Sequence, residues 1–201
     1  LDPATRMNPH LDYAQAIPGR VDGRGIGIID TTSWLALVDA LGLREASLPT
    51  QNVGPWTQAV RDGMRAWLDE YLDWLLHSAH GQDEAHQHNN HGTWYDVQVA
   101  SILLILDKKA EARDLLEAVK TKRIATQIEP DGRQPHELAR TKSLSYSKMN
   151  LSAFKRLARL GDKVGVDLLS YETDDGRSIR KAEAFLAPYT SGKKKWKYPQ
   201  L

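Results

Sequence analysis

GTWYDVQVASILLIL, residues 92–106, is the stretch of sequence that decides the fold. Its apolar run from Val99 to Leu106 is interrupted only by Ser101, which fits a helix buried in a protein core. The segment that follows, residues 108–122, is far more charged. An apolar helix next to a charged one predicts an inner and an outer layer of helices.

Helical spacing of apolar residues recurs on both sides of this stretch. A long helix that begins near Pro55 carries one apolar stripe to Leu75, and a shorter helix ends near Gly42. Further helices are expected over residues 144–160, 162–169 and 177–186. No strand with sustained alternation is apparent, so we predict a single all-α domain over residues 1–201.

Two segments predict irregular structure. Residues 1–31 are rich in Gly and Pro and predict an extended lead-in. Residues 124–140 contain Pro130, Gly132 and Pro135, which predict a turn and then an irregular stretch.

The composition excludes several classes of protein. The chain has 201 residues, of which 41% are hydrophobic, so it can bury the core of about one domain. A net charge of +1 gives no support for a nucleic-acid partner, and no apolar stretch approaches the ~20 residues of a membrane span. Because cysteine is absent, disulfides and thiolate chemistry are excluded.

Polar residues concentrate in two segments, residues 86–96 and residues 134–146, each at the junction of a loop and a helix. The first places three histidines and two asparagines within six positions, although a helix start needs only one capping side chain. The second combines His, Glu, Arg and Tyr. Side chains at two such junctions can converge on one groove.

Metal binding and hydrolysis are the first alternatives for these residues. The histidines at positions 77, 80, 86, 88 and 91 match no standard zinc spacing, so no metal site or cofactor is predicted, although a metal-dependent hydrolase stays an alternative. No pair of carboxylates is convincingly placed for glycoside hydrolysis. Asp96 and Glu137 are therefore interpreted as supporting or surface groups.

The combination of Asn, His, Arg and Tyr suits β-elimination from an acidic sugar. The proton on C5 of a uronate is weakly acidic until the neighbouring carboxylate is neutralised by an amide, an imidazole or a guanidinium. A tyrosine or histidine can then remove that proton, while a proton donor assists departure of O4.

Two motifs in these segments resemble those of the alginate lyase superfamily of polysaccharide lyases. Residues 89–94, Asn-Asn-His-Gly-Thr-Trp, resemble its Asn-Asn-His-x-x-Trp motif. Residues 137–140, Glu-Leu-Ala-Arg, followed by Leu-Ser-Tyr at 144–146, resemble its Glu-x-Ala-Arg…Leu-His-Tyr motif. Residues 7–15 and 197–200 also look familial, so the resemblance spans nearly the whole chain.

The resemblance implies an incomplete α/α toroid, with residues 1–201 forming the C-terminal portion of a longer chain and N-terminal helices missing. It also implies an acidic polysaccharide partner, no cofactor and a periplasmic or secreted location, and it leaves the oligomeric state open. The expected activity is cleavage of alginate, or of a glucuronate-containing polymer, by β-elimination. A non-catalytic module that binds acidic polysaccharides is the alternative.

The resemblance also transfers roles to individual residues. It implies that Asn90 hydrogen-bonds the substrate carboxylate, that Arg140 pairs with a carboxylate, and that Tyr146 removes the proton and protonates O4. His91 is expected to act as the base for the anti epimer or to help neutralise charge. The segment between Arg140 and Tyr146 is one residue shorter than is typical, and Ser145 replaces a common histidine, which leaves the substrate open.

Further residues are candidates for substrate binding. Trp94 lies one helical turn from His91 and could stack on a sugar ring. The others could line the groove and bind uronate groups; they are Asn89, His136, Arg24, Gln15 and His10.

Overall fold

The computed structural model describes residues 2, 4–47 and 56–201, which form helices joined by short loops. After a 3₁₀ segment, Gly25–Trp34, the helices in chain order are α1 (Leu35–Ser47), α2 (Gln58–His77), α3 (Ala79–Ala85), α4 (Asn90–Ile105), α5 (Lys109–Val119), α6 (Ala125–Gln127), α7 (Pro135–Leu138), α8 (Ser143–Asp162) and α9 (Ile179–Thr190). A π-helical turn, Lys120–Ile124, joins α5 to α6. None of the described residues forms a β-strand, and the all-α prediction is confirmed.

Helix α4 lies at the centre of the molecule. One side packs Val97 and Ala100 against Phe154 and Leu157 of α8. The other side packs Val99, Ile102 and Leu103 against the apolar stripe of α2, namely Leu68, Tyr71, Leu72 and Leu75. Burial of one large apolar side chain stabilises a fold by about 1.5–3 kcal/mol. Helix α4 therefore stabilises both halves of the core, because it buries apolar side chains in each. The prediction of an inner apolar helix is confirmed.

The polar run before α4 forms the start of that helix. Asn89 is the N-cap, with extended backbone angles (φ −120°, ψ −161°), and its Oδ1 accepts a hydrogen bond of 3.1 Å from the backbone N–H of His91. Asn90 is the first helical residue and does not cap the helix. One asparagine therefore satisfies the helix end, and the other polar groups of the run are free for other contacts.

Arg123, in the π-helical turn, fixes the loop that precedes α4. Its guanidinium is buried and donates to Asp96 Oδ2 at 2.6 Å, to the Gln87 carbonyl at 2.9 Å and to the Ala85 carbonyl at 2.8 Å. Loss of one partner of such a buried ion pair costs about 3–5 kcal/mol. Position 92, next to this guanidinium, requires glycine, because a Cβ atom there would lie 2.3 Å from Arg123 Nη1.

Several details of the predicted secondary structure are wrong. Residues 25–34 form a 3₁₀ helix rather than an extended lead-in. Residues 162–169 do not form a separate helix, because α8 ends at Asp162 and Gly165 has φ +72°. Helix α3 was not predicted. Pro55, the expected start of α2, lies outside the described residues.

The expectation that no apolar stretch approaches the length of a membrane span is also wrong. Gly25–Arg44 is one continuous helical segment that contains an 18-residue stretch with a mean hydropathy of 1.4, long and apolar enough to cross a membrane by length and composition. Core helices meet the same criterion, and here Ile28, Val38 and Leu41 are buried in the core that contains α2.

Candidate active site

The two polar segments meet at a pocket of about 330 Å³ at the N-terminal end of α4, hereafter the polar pocket. The loop before α4 and its first turn contribute Gln87, His88, Asn89 and His91, and α7 with the turn after it contributes His136 and Arg140; Ile26 completes the lining. The walls thus carry amide, imidazole and guanidinium groups. No carboxylate is among these lining residues.

His91 is held from behind by a buried carboxylate. Glu84, on α3, is fully buried, and its two oxygens lie 2.9 and 3.1 Å from His91 Nδ1. Burial raises the pKa of the Glu84 carboxyl, and the hydrogen bond with His91 opposes that rise. Because Nδ1 is occupied, Nε2 is the ring nitrogen left for a ligand in the pocket.

Asn90 does not line the pocket. Its side chain is fully buried, and Nδ2 donates to Glu137 at 3.0 and 2.9 Å, while the backbone N–H donates to the same carboxylate at 2.5 Å. Burial raises the pKa of the Glu137 carboxyl, against the lowering effect of the Asn90 and Arg140 contacts. This position disagrees with the predicted contact between Asn90 and a substrate carboxylate, because the side chain is fully buried and its Nδ2 donates to Glu137.

Arg140 links this buried carboxylate to Tyr146. Nη1 of Arg140 lies 3.4 Å from Glu137 Oε2, and its guanidinium carbon lies 3.3 Å from the centre of the Tyr146 ring. The pair with Glu137 is not the exposed surface bridge that i,i+3 spacing alone suggests, since the Glu137 side chain is only 1% exposed. The Tyr146 hydroxyl makes no hydrogen bond with any described residue, so it is available to a substrate.

A layer of buried amides supports the pocket from below. Gln127 Oε1 accepts from Thr93 Oγ1 at 2.9 Å and from Asn150 Nδ2 at 3.0 Å, and Gln127 Nε2 donates to the Asn89 carbonyl at 3.4 Å. Asn150 also donates to Gln134, directly before α7, at 2.9 Å. These bonds tie α4, α8 and α7 together, so both pocket walls share one support.

Two of the other predicted substrate-binding residues line the polar pocket, and four do not; the four are Trp94, Arg24, Gln15 and His10. Asn89 and His136 line it, and His136 lies beside His88, with ring centres 5.8 Å apart. Trp94 is half-buried against the core. Gln15 bonds to Arg24 and Asp30 at the surface, and His10 lines a separate cavity near Asp69 and Lys108.

The remaining histidines are dispersed. His77 Nδ1 lies 3.0 Å from Asp73, His80 Nε2 lies 3.1 Å from the Asp12 carbonyl, and His86 Nδ1 lies 2.6 Å from the Gln82 carbonyl. Among residues 2, 4–47 and 56–201, no group of three or more His, Cys, Asp or Glu side chains is placed to hold a metal ion. The histidine-rich sequence therefore forms no metal-holding group among the described residues.

Sequence reasoning missed Glu84 and Arg123. Glu84 precedes His91 by seven residues and lies on a different helix, so no helical spacing predicts their contact. Arg123 lies in a charged segment that looks solvent-exposed. Only the pairing of Arg123 with Asp96 after folding shows that both are internal.

The whole-chain comparisons agree with one another. The family model described as alginate lyase matches residues 1–196. The crystal structure of an alginate lyase from Bacteroides ovatus superposes with a TM-score of 0.91 at 37% identity, covering 100% of this chain and 52% of that one. No curated protein sequence matches.

Alginate lyase A1-III from Sphingomonas species A1 superposes with a TM-score of 0.65 at 23% identity, covering 88% of this chain and 48% of that one. A variant of A1-III complexed with a tetrasaccharide superposes with a TM-score of 0.57 at 21% identity, covering 88% of this chain and 55% of that one. The chain thus spans about half the length of these solved structures. The fold similarity agrees with the predicted α/α toroid.

Proposed function

We propose, because the chain belongs to the alginate lyase family, that it cleaves a uronic-acid polymer, alginate in the first instance, by β-elimination. The observation that carries this proposal is the polar pocket, in which His91 and Arg140 face a ligand while Glu84 and Glu137 lie buried behind them. This arrangement presents N–H donors to an anion in the pocket and keeps the two carboxylates away from that anion. Charge-assisted hydrogen bonds of this kind suit a uronate carboxylate.

In the proposed reaction, Arg140 and His91 receive the carboxylate of the sugar whose C5 proton is removed. Neutralising that carboxylate allows electron density from the broken C5–H bond to spread onto it. The electron pair then forms the C4–C5 double bond as the C4–O4 bond breaks. The leaving oxygen takes up a proton, and the products are a 4,5-unsaturated end and a new hydroxyl group.

Tyr146 is the proposed group for proton transfer. Its hydroxyl has no hydrogen-bond partner among the described residues, and the Arg140 guanidinium lies against its ring. As a phenolate, Tyr146 takes up the C5 proton and becomes a phenol, and the Arg140 guanidinium stabilises the negative charge of the phenolate before the transfer. The same oxygen can return the proton to O4 when both bonds lie on the same face of the sugar.

Asn90 takes a different part from the one its motif predicts. Its three contacts with Glu137 hold that carboxylate below Arg140. We therefore assign Asn90 to positioning the arginine, and Asn89, at the pocket wall, to direct contact with the sugar.

The test is a panel of polymannuronate, polyguluronate and polyglucuronate, followed by ultraviolet absorbance. Lyase cleavage creates a conjugated unsaturated uronate, so absorbance should rise for at least one polymer. New saturated ends without that absorbance would contradict the proposal and favour a hydrolase. Loss of activity with a chelator would revive the metal-dependent alternative.

A binding module without catalysis is the second candidate. The polar pocket also favours it, because its N–H donors can bind a uronate carboxylate without removing a proton. Such a module would bind the same polymers in calorimetry and release no unsaturated product.

A further inference from the structure

The carboxylate of Glu84 has a single hydrogen-bonding partner among the described side chains, the ring of His91. Glu84 is fully buried, at 0% exposure, whereas the His91 side chain is 15% exposed toward the polar pocket. A buried carboxylate is costly unless it is paired. The imidazole is therefore the group that compensates its charge, and the pair forms the back wall of the pocket.

Other charges around this pair do not replace the imidazole. Arg123 acts on Glu84 from the π-helical turn, but its hydrogen bonds go to Asp96 and to backbone carbonyls. Asp83, on α3 beside Glu84, adds negative charge. On the pocket side, the titratable and charged groups are His88, His136 and Arg140, with Glu137 behind the arginine.

The contact with Glu84 gives the two ring nitrogens of His91 different roles. A carboxylate accepts hydrogen bonds, so Nδ1 carries a proton and Nε2 is directed away from Glu84. Two chemical roles then stay open for Nε2. A neutral ring could accept the C5 proton, while a doubly protonated ring could donate to the substrate carboxylate.

We infer that Glu84 is a positioning residue that holds His91 as a doubly protonated ring, whose Nε2–H donates to the substrate carboxylate rather than removing the C5 proton. This inference rests on the proposed function. Two observations support the charged ring: the Glu84 side chain is fully buried, and its carboxylate has no other hydrogen-bond donor among the described residues. An anionic substrate adds further negative charge at the pocket, which favours the same state.

The decisive variant is Glu84→Gln, which keeps the shape and can still accept from Nδ1–H but removes the charge. In this variant the doubly protonated ring of His91 should lose its second proton at a lower pH than in the wild type. We expect the alkaline limb of the kcat/KM profile to move to lower pH, with about a tenfold loss near pH 8, one pKa unit being tenfold in the protonated ratio. Near pH 5 the loss should be small. Asp83→Asn, which neutralises the adjacent exposed carboxylate, is the matched control and should leave the profile in place.

Two outcomes would overturn the inference. If Glu84→Gln moved the acidic limb of the kcat/KM profile instead, His91 would act as the base. An unchanged profile would remove Glu84 from any electrostatic role. If the wild-type chain forms no unsaturated product on any polymer, the proposed function fails separately, and the ring is then measured directly.

Nitrogen NMR of the imidazole provides this measurement without activity and in the folded protein. The doubly protonated ring of His91 should persist to higher pH in the wild type than in Glu84→Gln. Equal titration of the two proteins would overturn the inference, whatever the enzyme assays show. Circular dichroism confirms that the variant is folded before either experiment is interpreted.

Discussion

Helix α4 borders two cavities of similar size and opposite character. The polar pocket, about 330 Å³, lies at its N-terminal end. The second, hereafter the aromatic pocket, is about 260 Å³ and lies along the middle of the helix, where Gln98 and Ile102 meet Trp34, Trp67 and Tyr71. The two cavities differ less in volume than in what lies beneath their walls.

Buried carboxylates lie beneath the polar pocket, whereas buried neutral groups lie beneath the aromatic one. Thr31 Oγ1 lies 2.9 Å from the Tyr71 hydroxyl and also hydrogen-bonds to Gln98. Burial raises the pKa of Tyr71, so this group stays neutral. Trp34, Trp67 and Tyr71 pack with ring centres 5.5 Å apart. The comparison teaches that the groups behind a wall decide whether a cavity suits an anion, and cavity size does not.

The largest effect should come from the polar pocket. Tyr146→Phe removes one hydroxyl, and His91→Ala removes the ring held by Glu84. Each should lower turnover by on the order of 10²-fold or more, the scale of general acid–base and electrostatic catalysis. Tyr146→Phe should change thermal stability little, whereas His91→Ala leaves the buried Glu84 carboxyl unpaired and should lower it. Initial rates from ultraviolet absorbance measure this loss.

Tyr171→Phe is the control for Tyr146→Phe, because Tyr171 packs against the core away from the polar pocket. It should leave turnover unchanged. Normal turnover by Tyr146→Phe would show that the hydroxyl has no part in proton transfer.

The aromatic pocket should show the opposite pattern. Trp67→Ala removes two ring contacts and the hydrogen bond from Nε1 to the Met7 carbonyl, 2.7 Å long. The free energy of unfolding should fall by about 3 kcal/mol, the lower end for loss of a large aromatic ring. Turnover per folded molecule should stay within about threefold, because no charge is altered. Urea unfolding and rates at low temperature measure the two quantities.

If Trp67→Ala instead removed activity and left stability intact, the distinction between the two pockets would be lost. The aromatic pocket would then belong to the path of the substrate.

The sequence predicts the long helices well and the short irregular segments poorly. The apolar stripe of α2 and the continuous apolar run of α4 are periodic over several turns, which is the strongest secondary-structure signal. Residues 162–169 mislead because Val164, Val166 and Leu168 are apolar and pack in the core without forming a helix. Gly25 suggests a flexible loop, yet a Cβ there would lie 2.5 Å from Asp83 Oδ2, so the glycine permits close packing.

The sequence likewise predicts some residues of the candidate site and misses others. The motifs identify His91, Arg140 and Tyr146 because chemistry restricts the residue types that can serve. They cannot reveal that Asn90 faces inward, since adjacent residues at a helix start point in different directions. They also cannot reveal Glu84, because its contact with His91 depends on the angle between α3 and α4.

A pH experiment sharpens the comparison through Glu137. Its pKa is raised in the folded state, so the folded protein binds this proton more tightly than the unfolded chain does, and stability falls as pH rises from the unfolded pKa through the folded one. Glu137→Gln cannot titrate. The stability of the wild type relative to Glu137→Gln should therefore decline as pH rises above about 4.5.

Denaturant unfolding of both proteins at several pH values measures this difference. A wild type that gains stability relative to Glu137→Gln over the same range would mean that the contacts with Asn90 and Arg140 outweigh burial. Asp131→Asn, at an exposed carboxylate, is the matched control: it keeps Glu137 and should therefore keep the pH dependence of the wild type.

The smallest effect distinguishes two histidines of the same run. His88 lies at the rim of the polar pocket beside His136, whereas the ring of His86 bonds to the Gln82 carbonyl and does not line the pocket. His88→Ala removes one exposed polar contact worth about 0.5–1 kcal/mol, so KM should rise about two- to fivefold while kcat stays unchanged. His86→Ala should alter neither constant. Should His86→Ala prove as damaging as His91→Ala, the run would act as a unit, and metal binding would become the better explanation of its histidines.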